Sequence, residues 1–475
     1  MKNSIAQLSS QDAQFLYLEA DGHMTHATAL SVYDPSTRSD GKPPRFKEII
    51  NHVAERTRYE PLVRQKLVRL PLDIDYPYWV EDEFFDIEAH IVHVRLPEPG
   101  DWRQLCIHMA RYHSRPLNMH RPLWEMLVIE GLNNVEGVPR GGYAIATKIH
   151  HAAADGASMM RFFTQLFDID EIGTPAVKHS GRAAPSVSKM PSPGKIVYRA
   201  ANAGLRSPFR TAQSLLKVAP RVYNAIQERS RRPSGRDRLV PNSRFNAPVS
   251  QQKMFDAIEF DLPTVKRIRK IVEGATVNDV ALCICSGALN RYLTHHDELP
   301  ADSLVSMCPV NLRSEQSGEA AITGNNISAM AIPIFTDIED PLQRLQAIRQ
   351  ETYSNKTARS ATPAQLMTDL TRHVPAVTQV MASRLVLQLG IAGRMVNLFV
   401  SNVPGPPIDL YMNGAKQLSN FALAPLGEGC GLFIGITSYR DRISFNVTST
   451  REIMPDIAFF IECLKDANRE LAAIA

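Results

Sequence analysis

At 475 residues, 44% of them hydrophobic, and with a formal charge of +4, the chain has material for roughly two to three domains with sizeable cores. A charge that modest names no nucleic-acid partner, and no stretch reaches the roughly eighteen apolar residues a membrane-spanning helix needs. The six cysteines, Cys106, Cys283, Cys285, Cys308, Cys430 and Cys463, form no Cys-x-x-Cys pair, so reduced thiols are expected and a zinc knuckle is not. The polar start of the chain lacks a signal core, which predicts a cytoplasmic protein or one attached to a membrane surface.

Residues 8–19 open with cap-type residues and carry a short apolar face, the pattern of a short helix or turn. Residues 24–33 read as a strand, and 46–59 place Ile49, Ile50, Val53 and Ala54 at helical spacing. Strands are predicted over 67–80 and 85–94, and a helix over 102–113. His108, His113 and His120 are spaced irregularly and read as solvated surface histidines. Arg121-Pro122-Leu123-Trp124-Glu125 then opens a strand running to Ile129. It pairs with the apolar run 143–149 across the loop 132–142.

That run is a buried strand, and it delivers Lys148-Ile149-His150-His151-Ala152-Ala153-Ala154-Asp155-Gly156. Over 157–167, Met159, Met160, Phe162, Phe163, Leu166 and Phe167 follow at helical spacing. Two histidines, an acid and a glycine thus lie on a strand-to-helix connection, where a rigid scaffold can aim them. Imidazole titrates at about pH 6.5, so such a histidine can take a proton from an alcohol and pass it on. Asp155 can equally cap the helix, and Gly156 can simply relieve crowding.

Between 171 and 244 the composition changes. Fifteen Lys and Arg stand against Glu171, Glu228 and Asp237, a local charge of about +12. Within it, 196–228 has apolar residues at helical spacing among basic ones. It reads as an amphipathic segment for an anionic lipid surface, as a solvated crossover between domains, or as both. The expected division is a first domain over 1–175, the basic crossover over 176–244, and a second domain over 245–475.

The second half restarts with a strand over 255–260 and a helix over 262–272. Thr276-Val277-Asn278-Asp279 opens a long helix, and Thr276 with Asp279 has the shape of a capping box. A strand over 304–310 ends in Asn311-Leu312-Arg313. Gly324-Asn325-Asn326-Ile327-Ser328 feeds a strand over 329–334, and 341–358 is helical. A strand over 395–400 ends in Ser401-Asn402-Val403-Pro404-Gly405-Pro406-Pro407, whose prolines force a stiff turn. Residues 430–439 and 443–450 form a hairpin about Arg440-Asp441-Arg442, and 457–472 close the chain as a helix. Both halves have the grammar of an α/β fold with mixed sheets.

No Gly-x-Ser-x-Gly elbow, phosphate-binding Gly-Lys-Ser/Thr loop, dinucleotide fingerprint or His-Glu-x-x-His helix is present. Cys283 and Cys285 lie in an apolar helix as core thiols. A histidine base with neither a covalent nucleophile nor a metal points to direct transfer between two bound substrates.

The string His150-His151-x-x-x-Asp155-Gly156 resembles the active-site motif of coenzyme A-dependent acyltransferases. Further pieces in order narrow the resemblance to the bacterial wax ester synthase/diacylglycerol acyltransferase family. They are Leu8-Ser9 with Asp12, Phe15-Leu16 and Glu19; Phe85-Asp86 with His90 and Leu96-Pro97 before Gly100; Pro122-Leu123-Trp124; Asn278-Asp279; Pro309-Val310-Asn311-Leu312-Arg313; Gly324-Asn325 with Ser328; and Ser401-Asn402-Val403-Pro404-Gly405-Pro406.

The resemblance implies two chloramphenicol-acetyltransferase-like domains with a tunnel between them, acyl-CoA entering from one side and a lipid alcohol from the other. It implies His151 as general base, His150 in support, and Asp155 orienting the loop, with Arg313 as its suggested partner. Asn278, Asp279, Ser401, Asn402, Thr437 and Ser438 are candidates for the oxyanion or cross-domain support. Pro122, Leu123 and Trp124 line the tunnel or pack as a structural corner. No bound cofactor and no metal are implied; acyl-CoA is a co-substrate, and a fatty alcohol or diacylglycerol accepts the acyl group to give wax ester or triacylglycerol. A membrane or lipid-droplet surface is the expected partner, and nucleic acid is not, for want of aromatic-basic interleaving. The alternatives are a condensation-type transferase using a carrier-protein thioester and a non-catalytic lipid-surface binding protein.

Overall fold

The computed structural model describes residues 7–19, 22–58, 60–153, 156–173, 240–311, 327–357 and 395–475, with isolated positions at 192, 194, 198, 376, 379–381, 384 and 393. In chain order the elements are α1 (Ser10–Tyr17), β1 (His26–Asp34), α2 (Phe46–Arg56), α3 (Pro61–Arg64), β2 (Gln65–Val68), β3 (Tyr78–Glu81), β4 (Ile91–Arg95), α4 (Trp102–Ser114), β5 (Trp124–Glu130), β6 (Tyr143–His150) and α5 (Gly156–Leu166). They continue with β7 (Lys253–Asp261), α6 (Leu262–Ile268), α7 (Val277–His295), β8 (Val305–Asn311), β9 (Ile327–Pro333), α8 (Pro341–Thr357), β10 (Leu398–Val403), β11 (Tyr411–Met412), β12 (Ala415–Leu423), β13 (Phe433–Tyr439), β14 (Arg442–Thr450) and α9 (Ile457–Ala473).

Two six-stranded mixed sheets form the body, in the orders β11-β12-β1-β6-β5-β4 and β7-β14-β13-β10-β8-β9. Strand β6 is buried along its whole length, as its unbroken apolar run predicts for a strand covered on both faces. Its alternate residues serve two cores. Tyr143, Ile145 and Ile149 pack with Ile49, Val53 and Phe162 under α2 and α5. Ala144 and Ala146 pack with Leu105 and Met109 of α4 and with Phe255, Ala257, Phe421 and Leu423 of the second half. Lys148 and His150 alternate onto that second face. The second sheet carries its own core, where Val280, Ile284 and Leu289 of α7 meet Phe460 and Leu464 of α9.

The halves interlock. Strand β12, which was not predicted, pairs antiparallel with β1 from Thr28 opposite Leu423 to Asp34 opposite Lys416. The backbones of Asp168 and Tyr411 exchange hydrogen bonds at 2.8 Å in both directions, and the Thr37 hydroxyl donates to the Gly414 carbonyl at 2.8 Å. A boundary at 245 therefore leaves 411–423 in the sheet of the first half.

Other expectations change locally. The span 67–80 is a hairpin, β2 against β3, because Pro71 opens a turn in which Leu72 and Asp73 take positive φ. Within 85–94 only β4 is strand; Asp86 accepts from the Glu88 amide and starts a short 3-10 turn instead. Helix α6 stops at Ile268 and tightens into a 3-10 turn over Arg269–Ile271. Strand β10 runs through Val403, so Ser401 and Asn402 lie within the strand rather than after it. All six cysteines are buried free thiols. The crossover helix expected over 196–228 lies outside the described residues apart from the single position 198.

Candidate active site

The end of β6 is pinned from three directions. The His150 amide donates to the Leu123 carbonyl at 3.1 Å, the His151 amide to the Thr25 carbonyl at 3.1 Å, and the Ala153 amide to the His150 carbonyl at 2.9 Å. The corner before β5 and the segment before β1 thus set where the two histidines leave the sheet. From the second half, Val380 packs in one cluster with Leu16, Leu123 and Ala152.

His150 is wholly buried. Its Nδ1 accepts the Ala152 amide at 2.9 Å. Nε2 therefore carries the proton and points it at Glu19 Oε1, 3.1 Å away, and at Thr25 Oγ1, 3.2 Å away. The Thr25 hydroxyl donates in turn to the Phe15 carbonyl at 2.8 Å, and the Thr25 amide donates to Glu19 Oε1 at 3.0 Å. Burial pushes the Glu19 carboxyl up, but the hydrogen bonds from His150 and Thr25 outweigh it and leave the pKa below the usual glutamate value. Both nitrogens of His150 are thus engaged.

His151 differs. It keeps part of its surface exposed, and its ring stacks on Phe15 with centroids 5.1 Å apart. Burial, with the neighbouring His150, pushes its pKa down to about 4, so the ring is neutral across the physiological range and able to accept a proton.

Behind them lies a buried polar layer. His26 sits opposite His150 in the β1–β6 register, and its Nε2 donates to the His113 carbonyl at 2.7 Å. His113 is not a surface histidine: it is 2% exposed, Nδ1 accepts from the Thr28 hydroxyl at 2.9 Å, and Nε2 donates to the Ala424 carbonyl at 3.2 Å. Burial, then the nearby Lys148 ammonium, lowers its pKa to about 3. Lys148 Nζ donates to the Tyr112 and Arg115 carbonyls at 3.1 and 2.9 Å and pairs with Glu125 at 3.2 Å. A lysine on β6 so closes the C-terminal end of α4.

Leu123 and Trp124 are fully buried. The Trp124 indole stacks on His90 at 4.8 Å and donates from Nε1 to the Val63 carbonyl at 3.1 Å. Gly156 opens α5, while Asp155 and Arg313 lie outside the described residues. Asp279 completes the capping box with Thr276 and also accepts from the Thr352 hydroxyl at 2.8 Å. Asn278 is the second residue of α7. Ser401 and Asn402 pair with Gly435 and Ile436. The Thr437 hydroxyl donates to the Asn420 carbonyl at 3.1 Å, and Ser438 Oγ accepts the Gly405 amide at 3.2 Å. The structure gathers His150, His151 and Leu123 at one point; among the described residues no hydrogen bond joins His151 to Asn278, Asp279, Ser401, Asn402, Thr437 or Ser438. Phe15, Glu19 and Thr25 surround the histidines and were not identified from sequence as part of the site. Phe15 and Glu19 entered only as pieces of the family resemblance and Thr25 not at all, which gives no hint of where the side chains point.

Known proteins resemble the chain in fold and in sequence. The chain superposes on a wax ester synthase/diacylglycerol acyltransferase from Marinobacter aquaeolei VT8 with TM-score 0.69 and 24% identity, covering 98% of each chain. It superposes on the first condensation domain of the CDA synthetase with TM-score 0.56 and 13% identity, over 99% of this chain and 97% of that one. Both likenesses establish the fold, a two-domain architecture of the condensation and chloramphenicol-acetyltransferase kind. The wax ester synthase/diacylglycerol acyltransferase catalytic domain profile matches residues 8–281, and the C-terminal domain profile of the same family matches 323–472. A putative diacylglycerol O-acyltransferase of Mycobacterium tuberculosis strain CDC 1551 is 31% identical, covering 98% of this chain and 99% of its own. A probable diacylglycerol O-acyltransferase of M. tuberculosis strain H37Rv is 29% identical over 97% of both. The chain belongs to the wax ester synthase/diacylglycerol acyltransferase family and is an acyltransferase. That membership sets aside the non-catalytic lipid-binding reading, and it leaves the carrier-dependent condensation domains as distant relatives.

Proposed function

We propose that the protein transfers a fatty acyl group from acyl-CoA to a long-chain alcohol or diacylglycerol, giving wax ester or triacylglycerol, with His151 as general base. The carrying observation is the contrast between the two histidines. His150 spends both nitrogens on Ala152 and Glu19, whereas His151 is neutral and partly exposed, and among the described residues no hydrogen bond occupies its ring nitrogens. In the step, His151 removes the proton from the acceptor hydroxyl as its oxygen attacks the thioester carbonyl. The tetrahedral intermediate collapses with cleavage of the carbon–sulfur bond, and the imidazolium returns its proton to the departing thiolate. No acyl-enzyme forms. Asp155 orients the loop, with Arg313 as its partner, and a polar group among Asn278, Asp279, Ser401, Asn402, Thr437 and Ser438 holds the oxyanion or supports the site from the second half. Pro122, Leu123 and Trp124 border the acyl path. No cofactor beyond the co-substrate acyl-CoA is required.

The substrates suit an apolar path, since each buried methylene contributes about 0.8 kcal/mol. Among the described residues no helix is long and apolar enough to cross a membrane. The basic segment 171–244 holds the enzyme on the inner face of the membrane or on a lipid droplet, where an insoluble product can leave. The test is thiol release and ester formation from palmitoyl-CoA with hexadecanol and with a diacylglycerol. Turnover with either acceptor supports the reading; thiol release with no ester, which is thioesterase activity, opposes it.

A further inference from the structure

The segment that seats both histidines is itself held from the second half of the chain. Thr25 lies three residues after Gly22, and Gly22 is where the halves touch. Gly22 has φ +89, and a Cβ there would meet the Val249 carbonyl oxygen at 2.9 Å. Lys253, the first residue of β7, donates from Nζ to the Gly22 carbonyl at 2.7 Å and to the Ser250 carbonyl at 2.8 Å. Next to it, His23 Nε2 meets Glu428 Oε2 at 2.5 Å. Among the described residues this strap, residues 22–25, is thus held by two polar side chains from beyond residue 245, Lys253 at Gly22 and Glu428 at His23. Burial, opposed by Glu452 and Glu428, lowers the lysine pKa to about 8, so this ammonium has left bulk water for two backbone carbonyls.

We propose that Lys253 is a positioning residue for the acyl transfer, acting on His151 across the two halves through the Gly22–Thr25 segment. Thr25 is the lever. Its carbonyl receives the His151 amide, its hydroxyl lies beside His150 Nε2, and its amide binds Glu19. Releasing Gly22 lets Thr25 drift, and the His151 ring drifts with it. Among the described residues Lys253 Nζ hydrogen-bonds the Gly22 and Ser250 carbonyls and neither histidine, so the loss is expected in the chemical step and not in acyl-CoA binding. The proposal rests on His151 being the base.

The test measures steady-state thiol release from palmitoyl-CoA and hexadecanol for the wild type, Lys253→Met, Lys253→Arg, Glu428→Ala and His151→Ala, each checked for cooperative thermal unfolding. Lys253→Met is expected to lower kcat by about tenfold to a hundredfold, the scale of a misplacement near one ångström, with the KM for palmitoyl-CoA unchanged. Lys253→Arg, which keeps the donors, recovers most of the rate, and Glu428→Ala, which cuts the second contact at a partly exposed position, lowers kcat in the same way and serves where Lys253→Met does not fold. A folded Lys253→Met with wild-type kcat, or with a raised KM and unchanged kcat, overturns the proposal. An active His151→Ala removes the reading beneath it; an inactive His151→Ala beside an unimpaired Lys253→Met sinks the strap alone.

Discussion

Adjacent histidines meet different surroundings here, and the roles proposed for them follow from those surroundings. The Ala152 amide donates to His150 Nδ1, and Glu19 accepts a hydrogen bond from the Nε2–H. A second proton on His150 would break the Ala152 bond, so the ring serves as a fixed strut. Glu19→Ala removes the acceptor and frees the tautomer. The expected result is a fall in kcat of about tenfold or more, from loss of alignment, with Glu19→Gln milder because its amide oxygen can still accept. Unchanged kcat in a folded Glu19→Ala would show that the strut is dispensable. For His151, whose pKa lies at about 4, the base form is present at every pH above that value. The predicted profile of kcat/KM is flat from about pH 6 to 8, with an acid limb near 4 rather than at the ordinary 6.5 or so; a limb at the ordinary value contradicts the assignment. The histidine string itself was legible in the sequence. Its supporting shell was not, because Phe15, Glu19 and Thr25 converge through tertiary geometry that linear spacing does not carry.

At the scale of elements, legibility followed the strength of the periodic signal. Strand β6, its partner β5 and the capping box of α7 were all readable, the first from an unbroken apolar run and the last from Thr276 and Asp279 three positions apart. Strand β12 escaped because Lys416, Gln417, Ser419 and Asn420 dilute its alternation, although Gln417 is 2% exposed in place. His113 was misjudged for a related reason: the Ala424 carbonyl that covers it comes from more than three hundred residues away. The Pro122-Leu123-Trp124 corner tests whether a motif is packing or chemistry. Trp124→Phe keeps the ring against His90 but strands the buried Val63 carbonyl, which costs about 1–3 kcal/mol. A lowered melting temperature with kcat and KM unchanged is expected; a raised KM for acyl-CoA with unaltered stability would instead put Trp124 on the substrate path.

Over the whole molecule, the two halves are bound by polar groups that have left water. Trp102 Nε1 donates to Asp256 at 2.8 Å across the halves, and Ser419 on β12, in the sheet of the first half, donates to Glu259 on β7 at 2.9 Å, a carboxylate that also accepts from Ser444 of the neighbouring β14 at 3.1 Å. The histidines of this layer make stability depend on pH. His26 and His113 have pKa values lowered by burial, so below about pH 6.5 the unfolded chain binds protons that the folded one refuses. Stability is complete above that pH and falls as pH drops toward the folded values, by at most about 1.4 kcal/mol per pH unit for each histidine. Asp256 and Glu259, raised by burial, act in the opposite sense. Thermal unfolding between about pH 7 and 5 should therefore show a shallower decline in His113→Gln than in the wild type, since the carboxylates are common to both; equal slopes would exclude His113 as a contributor. The central claim is that His151 performs direct acyl transfer as a general base. Its most direct test compares thiol release from acyl-CoA by the wild type and by a folded His151→Ala variant with a long-chain alcohol as acceptor. The account predicts a loss of at least a hundredfold in kcat, within the roughly 10²–10⁴ range of general base catalysis; a variant that keeps wild-type kcat would contradict it.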